Sequence, residues 1–241
     1  MGRFLANGRA IAEVGSSYLL IFVAITIAMF LLWLAYRLLT VKVLAAEDLL
    51  KPGAECDGEM NAVFAGSFNP PHIGHATLLR AMARQHRKGT LYAVVGHNPA
   101  KTYPVSPDAR VALLRKICAS DPELRNVEPV AVSGYIWRFA LARRCLLYRG
   151  IRTMAKDGAE ERFLHLLNLV GPLLLGGRFP ATTIYVTCPA RTGAPSGDDQ
   201  GNLTGVSSSR VRGLLQQNMT IKGLVPAAIE EATARLYAPR H

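Results

Sequence analysis

NAVFAGSFNPPHIGHATLLRAMARQHR, residues 61–87, is the stretch on which the fold turns. Asn61 to Ala65 reads as a short apolar strand, Gly66 as a tight turn, and His72 to Arg87 as a helix. A strand that feeds a helix through a glycine turn is the opening unit of a parallel α/β sheet. The start of such a helix offers oriented N–H groups and partial positive charge, which suits an anion. His72 and His75 stand three apart there, on one helical face, with Gly74 keeping space between them.

Outward from this unit the same alternation continues. Residues 91–96, 126–132, 145–150 and 182–187 read as strands. Pro107–Ala119, Gly134–Arg144, Gly158–Val170, Ser207–Gln217 and Pro226–Tyr237 read as helices. This pattern predicts a Rossmann-like α/β domain: an open parallel sheet with helices on both faces, whose ligands bind beyond the carboxyl ends of the strands. Ala190–Gly205, rich in Gly, Pro, Asp and Ser, reads as a loop.

Three further segments fall at predicted strand ends or loop-to-helix junctions. Gly96 to Arg110 carries Lys101 in an Asn-Pro-Ala-Lys loop ahead of the helix at Pro107. Tyr148-Arg149-Gly150-Ile151-Arg152 sets two arginines around one glycine, a pattern that can clamp anionic groups. Val206-Ser207-Ser208-Ser209-Arg210-Val211-Arg212 opens a helix with serines, whose hydroxyls and free N–H groups suit phosphate.

The first segment resembles the H-x-G-H signature of the nucleotidyltransferase superfamily, which includes phosphopantetheine adenylyltransferase, nicotinamide mononucleotide adenylyltransferase and the cytidylyltransferases. Lys101 and the Arg-Gly-Ile-Arg segment resemble motifs of the phosphopantetheine adenylyltransferases. The Val206–Arg212 segment resembles the superfamily's serine motif. The similarity runs from about Ala62 to Tyr237. It implies an enzyme that transfers AMP from ATP to 4′-phosphopantetheine, with nicotinamide mononucleotide, another cytidylyltransferase-type substrate, or nucleotide binding without turnover as the alternatives. It implies catalytic roles for His72, His75, Lys101 and Arg152, and acceptor contacts for Ser67, Lys101, Ile136 and Arg149. It gives the nucleotide Ser67, Phe68, His75, Gly150, Ile151, Arg152, Glu161, Val206, Ser207, Ser208 and Ser209. Mg²⁺ is expected to arrive with ATP, since no metal-ligand spacing stands in the sequence. Bacterial relatives of this kind form hexamers, so a homo-oligomer is among the expectations.

The 241 residues suit one domain plus an appendage. Val14 to Tyr36 holds 23 residues without a charge, enough at ~1.5 Å each to cross a ~30 Å hydrocarbon core. The expectation is a membrane anchor over residues 1–44, with its helix at about 14–36. A polar linker follows over 45–60, and the catalytic domain spans 61–241. A long signal sequence or a buried core helix fits the same run. Arg3 and Arg9 before it balance Arg37 and Lys42 after it, so charge does not set the orientation. Because ATP and the acceptor are plentiful in cytosol and mitochondrial matrix, the domain is expected on such a side. The net charge of +11 fits small polyanions, and no arginine-rich run argues for nucleic acid. The four cysteines, Cys56, Cys118, Cys145 and Cys188, are not spaced as metal ligands and read as inert thiols.

Overall fold

The computed structural model describes residues 2–45, 48–49, 60–96, 103–151, 154–187 and 206–239. The chain divides into two units, Met1–Val41 and Lys42–His241. The first is a single helix, α1 (Gly2–Leu39). Within it, Tyr18–Leu39 is long and apolar enough to cross a membrane, and consecutive positions from Tyr18 to Phe22 are all exposed and apolar. A helix apolar on every face has no side to turn toward water.

The second unit is built on six parallel strands: β1 (Lys42–Ala45), β2 (Ala62–Gly66), β3 (Leu91–Gly96), β4 (Val127–Val132), β5 (Leu146–Ile151) and β6 (Thr183–Thr187). Their order in the sheet is β1-β6-β5-β2-β3-β4. The chain winds one way from β2 to β4, then returns to the other side of β2 as β5. The topological switch point therefore lies between β2 and β5, where ligands of such sheets bind.

Period-2 alternation gives the sheet two cores. Ala62 and Phe64 face one side, and Val63 and Ala65 the other. The first side is covered by α2 (Ile73–Gln85), α3 (Pro107–Ser120), α6 (Ser208–Gln216) and α7 (Glu230–Tyr237), through Leu79, Leu114, Val211 and Tyr237 among others. The second is covered by α4 (Ile136–Ala142) and α5 (Met154–Gly176). Ala140 of α4 packs on Val63 and Leu147, while Tyr185 of β6 donates to the Glu161 carbonyl on α5 at 3.1 Å. The helices start where local chemistry sets them: Ser106 caps α3 by accepting from the Ala109 N–H, with Pro107 at its first position.

The expected strands and helices are present with ends shifted by a residue or two, apart from three differences. Helix α5 is much longer than Gly158–Val170, because packing carries it through Pro172. The C-terminal helix resolves into a 3₁₀ turn, Ala227–Ile229, followed by α7. The largest difference is at the front. Lys42–Ala45, expected as the end of an anchor and the start of a tether, is the edge strand of the sheet, paired to Ile184–Thr187. Leu49, expected in the linker, is buried in the main core. Four residues are too few to show a strand period, and only the free edge of β6 gives them a place. The rest of the expected linker, apart from Asp48 and Met60, and the loop 190–205 lie outside the described residues.

A fragment beginning at Val41 should therefore unfold cooperatively. One beginning at Cys56 should melt ~5 °C or more lower and aggregate through the bared β6 edge. Calorimetry and light scattering on the two fragments check this, and equal melting temperatures would remove Lys42–Ala45 from the domain.

Candidate active site

The loop from Ser67 to His72 leaves the carboxyl end of β2 at the switch point. Phe68 holds a left-handed backbone (φ 44°), uncommon for a bulky residue, and its ring is fully buried, edge-on to Phe64. That conformation puts an aromatic floor under His75, whose ring lies 4.8 Å from the Phe68 ring. The Asn69–Pro70 peptide is cis.

His72 and His75 stack, with ring centroids 3.8 Å apart. The backbone N–H of His72 donates to Nδ1 of His75 at 3.3 Å, and the His75 N–H donates to the His72 carbonyl. Burial holds the His72 ring at a pKa of about 4, against an ordinary 6.5. Burial, and then the neighbouring His72, hold His75 well below the ordinary value. Both rings are therefore neutral at pH 7. Since His75 Nδ1 accepts, its proton sits on Nε2, which makes Nε2–H a donor. Nδ1 of His72 is buried with no protein partner among the described residues.

The serine-rich helix start is fastened to this loop. Ser208 Oγ donates to the Pro70 carbonyl at 2.8 Å, and Arg212 donates to the Asn69 carbonyl. Tyr237 on α7 donates to Asn69 Oδ1 at 2.7 Å, and the Ile73 N–H donates to the Leu224 carbonyl. Ser207 caps α6 by accepting from the Arg210 N–H, and Ser209 Oγ accepts from Arg212. The Ser208 hydroxyl proton is thus committed to the loop. The hydroxyls of Ser207 and Ser209, which act as acceptors here, still have protons to give. The first N–H groups of α6 have no carbonyl one turn back to meet them. Val206, just before α6, is buried.

On the other side of the switch point, Arg149 stands opposite Ala65 in register. It makes a bidentate pair with Glu161, Nε to Oε2 at 3.0 Å and Nη2 to Oε1 at 2.6 Å, and its Nη1 lies 3.5 Å from the Ala65 carbonyl. Residues expected to hold acceptor and nucleotide separately are thus joined to each other. Gly150 has a packing reason to be glycine. A Cβ there would stand 3.1 Å from Leu78 and 3.2 Å from Phe64. Ile151 is buried. Ile136 starts α4 beside the end of β3, where a Cβ on Gly96 would stand 3.6 Å from its side chain. Lys101 and Arg152 lie outside the described residues.

The sequence reading assigned no role to Arg110, Arg212, Asn69 or Tyr237. Arg110 is wholly buried, donates to the carbonyls of Ser67 and Ser106, and lies 4.5 Å over the Tyr103 ring. Burial lowers its pKa, and Tyr237 and Tyr103 oppose that shift. Its place, one turn after a Ser-Pro helix start, was the available signal, but its burial is a tertiary fact. Burial also pushes the Cys118 and Cys145 thiols up to about 11, so neither is poised as a nucleophile.

The histidine loop, the start of α6 and Arg149 thus bring phosphate-type donors to the switch point of a parallel sheet, as an enzyme that handles nucleotide phosphates requires. The Cytidylyltransferase-like family model matches residues 63–213, and the chain belongs to that family. Among curated proteins, a phosphopantetheine adenylyltransferase of Synechococcus sp. is 32% identical over 116 residues, covering 48% of this chain and 70% of that one. That of Deinococcus radiodurans is 27% identical over 182 residues, covering 74% and 95%. That of Chromobacterium violaceum is 35% identical over 108 residues, covering 44% and 63%. A solved structure from Vibrio parahaemolyticus, named for nicotinate-nucleotide adenylyl transfer, aligns at 14% identity and a TM-score of 0.47 over 76% of this chain and 98% of that one. That likeness is too distant to bear on substrate.

Both site histidines have folded-state pKa values below the ordinary 6.5, so the unfolded chain binds more protons than the folded one between that value and about 4. Their contribution to stability is complete above about pH 6.5 and is lost as the pH falls toward 4. Urea midpoints of the Val41–His241 fragment should therefore drop between pH 6.5 and 5. The drop should be smaller in His72→Gln/His75→Gln, though not abolished, because burial also lowers the pKa of His86. An unchanged slope in the double variant would mean that these rings titrate normally.

Proposed function

We propose that the domain transfers the adenylyl group of ATP to 4′-phosphopantetheine, giving dephospho-CoA and pyrophosphate. The observation that carries this reading is the fastening of the serine-rich helix start to the H-x-G-H loop by Ser208–Pro70 and Arg212–Asn69. It sets two phosphate-binding elements edge to edge beside Arg149. The curated phosphopantetheine adenylyltransferases named above support the choice of acceptor.

In this reading a phosphate oxygen of the acceptor attacks the α-phosphorus of ATP. The bond from that phosphorus to the bridging oxygen breaks in line, and pyrophosphate leaves with the electron pair. The attacking oxygen is already ionised, so no side-chain nucleophile is required, and the protein supplies position and charge stabilisation. Nε2–H of neutral His75 donates to the α-phosphoryl oxygens, where negative charge builds up. The start of α6, with the hydroxyls of Ser207 and Ser209, receives the leaving phosphates. By the family resemblance, Lys101 serves the acceptor phosphate and Arg152 the pyrophosphate. Arg149 meets the acceptor phosphate either through its Nη1 edge or by turning away from Glu161. The described residues gather no three of His, Cys, Asp and Glu, so a divalent ion such as Mg²⁺ comes as the counter-ion of the nucleotide and supplies charge neutralisation there.

Helix α1 is read as a single membrane span. The 22 residues Tyr18–Leu39, at ~1.5 Å each, match a ~30 Å hydrocarbon core, and an 18-residue stretch within them has a mean hydropathy of 2.6. The domain then faces cytosol or mitochondrial matrix, where its substrates are.

Pyrophosphate release should be seen with ATP and 4′-phosphopantetheine and not with nicotinamide mononucleotide. Release with the latter alone would reassign the acceptor, and release with neither would leave a nucleotide-binding protein. His75→Ala should slow turnover by ~10²–10³-fold with the circular dichroism spectrum unchanged. A variant as fast as the parent would take His75 out of the reaction.

A further inference from the structure

We propose that the end of the sheet opposite the candidate active site is a docking surface for an anionic phospholipid bilayer. This inference rests on the reading of α1 as a membrane span.

In an all-parallel sheet every strand begins at the same end. Here those beginnings are strongly basic. Arg87 and Lys88 stand just before β3, Arg125 before β4, Arg143 and Arg144 before β5, and Arg178 before β6, and all six are exposed. Two of the acids at this end, Asp121 and Glu123, are already held by Arg80 and Arg84. The same end carries an apolar protrusion. Leu174 and Leu175 close helix α5, and Phe179 lies in the segment that leads into β6. They are 77%, 61% and 81% exposed, far more than water-facing groups of this size require.

The register of the edge strand selects a bilayer as the partner. Lys42 opens β1 after only Thr40 and Val41 beyond the last residue of α1, and it pairs with Ile184, the second residue of β6. The place where the chain arrives from the span is therefore the place where Phe179–Thr182 lead into the sheet. Only Thr40 and Val41 separate the last residue of α1 from β1, so a membrane span at α1 would tether this domain to a bilayer by a short link. Apolar side chains at the centre and cations around them are what an anionic interface accepts.

The test uses the full chain, reconstituted into vesicles of phosphatidylcholine alone or of phosphatidylcholine with phosphatidylserine. Amide hydrogen exchange is followed by mass spectrometry. Residues 173–182 and 143–146 should exchange several-fold more slowly in the phosphatidylserine vesicles, while residues 133–136 at the other end stay unchanged. Leu174→Ser/Leu175→Ser/Phe179→Ser, which alters only exposed side chains, should lose that slowing and still resist carbonate extraction. Equal exchange in both vesicle types, with the chain still resistant to carbonate, would overturn the docking surface and leave the span in place. Release of the parent chain by carbonate would overturn both. Slowing that needs no lipid and grows with protein concentration in detergent would assign the surface to a second copy instead.

Discussion

Four side chains from distant parts of the sequence converge on the carbonyls and amide of one short loop, residues 67–70. Arg110 holds the Ser67 carbonyl, Arg212 the Asn69 carbonyl, Ser208 the Pro70 carbonyl, and Tyr237 the Asn69 side chain. A buried loop has no regular ladder in which to satisfy its backbone, so it depends on such donors. Because they come from α3, α6 and α7, the loop cannot keep its course unless those helices are docked. That dependence couples site geometry to the packing of a whole face of the sheet. Carbonyls and the Tyr103 ring meet much of the buried Arg110 charge, while its Nη2 has no hydrogen-bond partner among the described residues.

The electrostatics of the crevice follow from the same packing. Two stacked histidines could not both be protonated without repulsion, and burial removes the option in any case. Neutral imidazoles leave His75 as a directed hydrogen-bond donor instead of a cation that would bind any anion. The permanent charge on the facing strand, Arg149, is satisfied by Glu161, so this guanidinium is compensated without a ligand.

A parallel sheet has two unlike ends, and this chain uses them differently. The carboxyl ends of β2 and β5 carry the histidine loop and Arg149. The opposite end collects the cations, the apolar protrusion and the point where the edge strand begins. Polarity of this kind needs no special device, since parallel strands send all their exits to one side and all their starts to the other.

Strand and helix positions were legible in the sequence because burial on both faces of a parallel sheet enforces apolar runs, and because Ser106, Ser207 and the glycine turn at Gly66 mark element ends by local chemistry. The class of site was legible for the same reason: phosphate-binding turns depend on backbone donors that short motifs dictate. What the sequence could not give were pairings across long separations. Lys42–Ala45 carries no strand period of its own and becomes a strand only against β6. Arg149 and Glu161, read as serving two ligands, meet because the β5–α5 crossover brings them face to face. Asn69 and Tyr237 are 168 residues apart, and no local signal joins them. Local chemistry therefore determined which elements form. The tertiary structure alone decided which donors hold the loop and which charges cancel, since these depend on distances that a one-dimensional pattern does not contain.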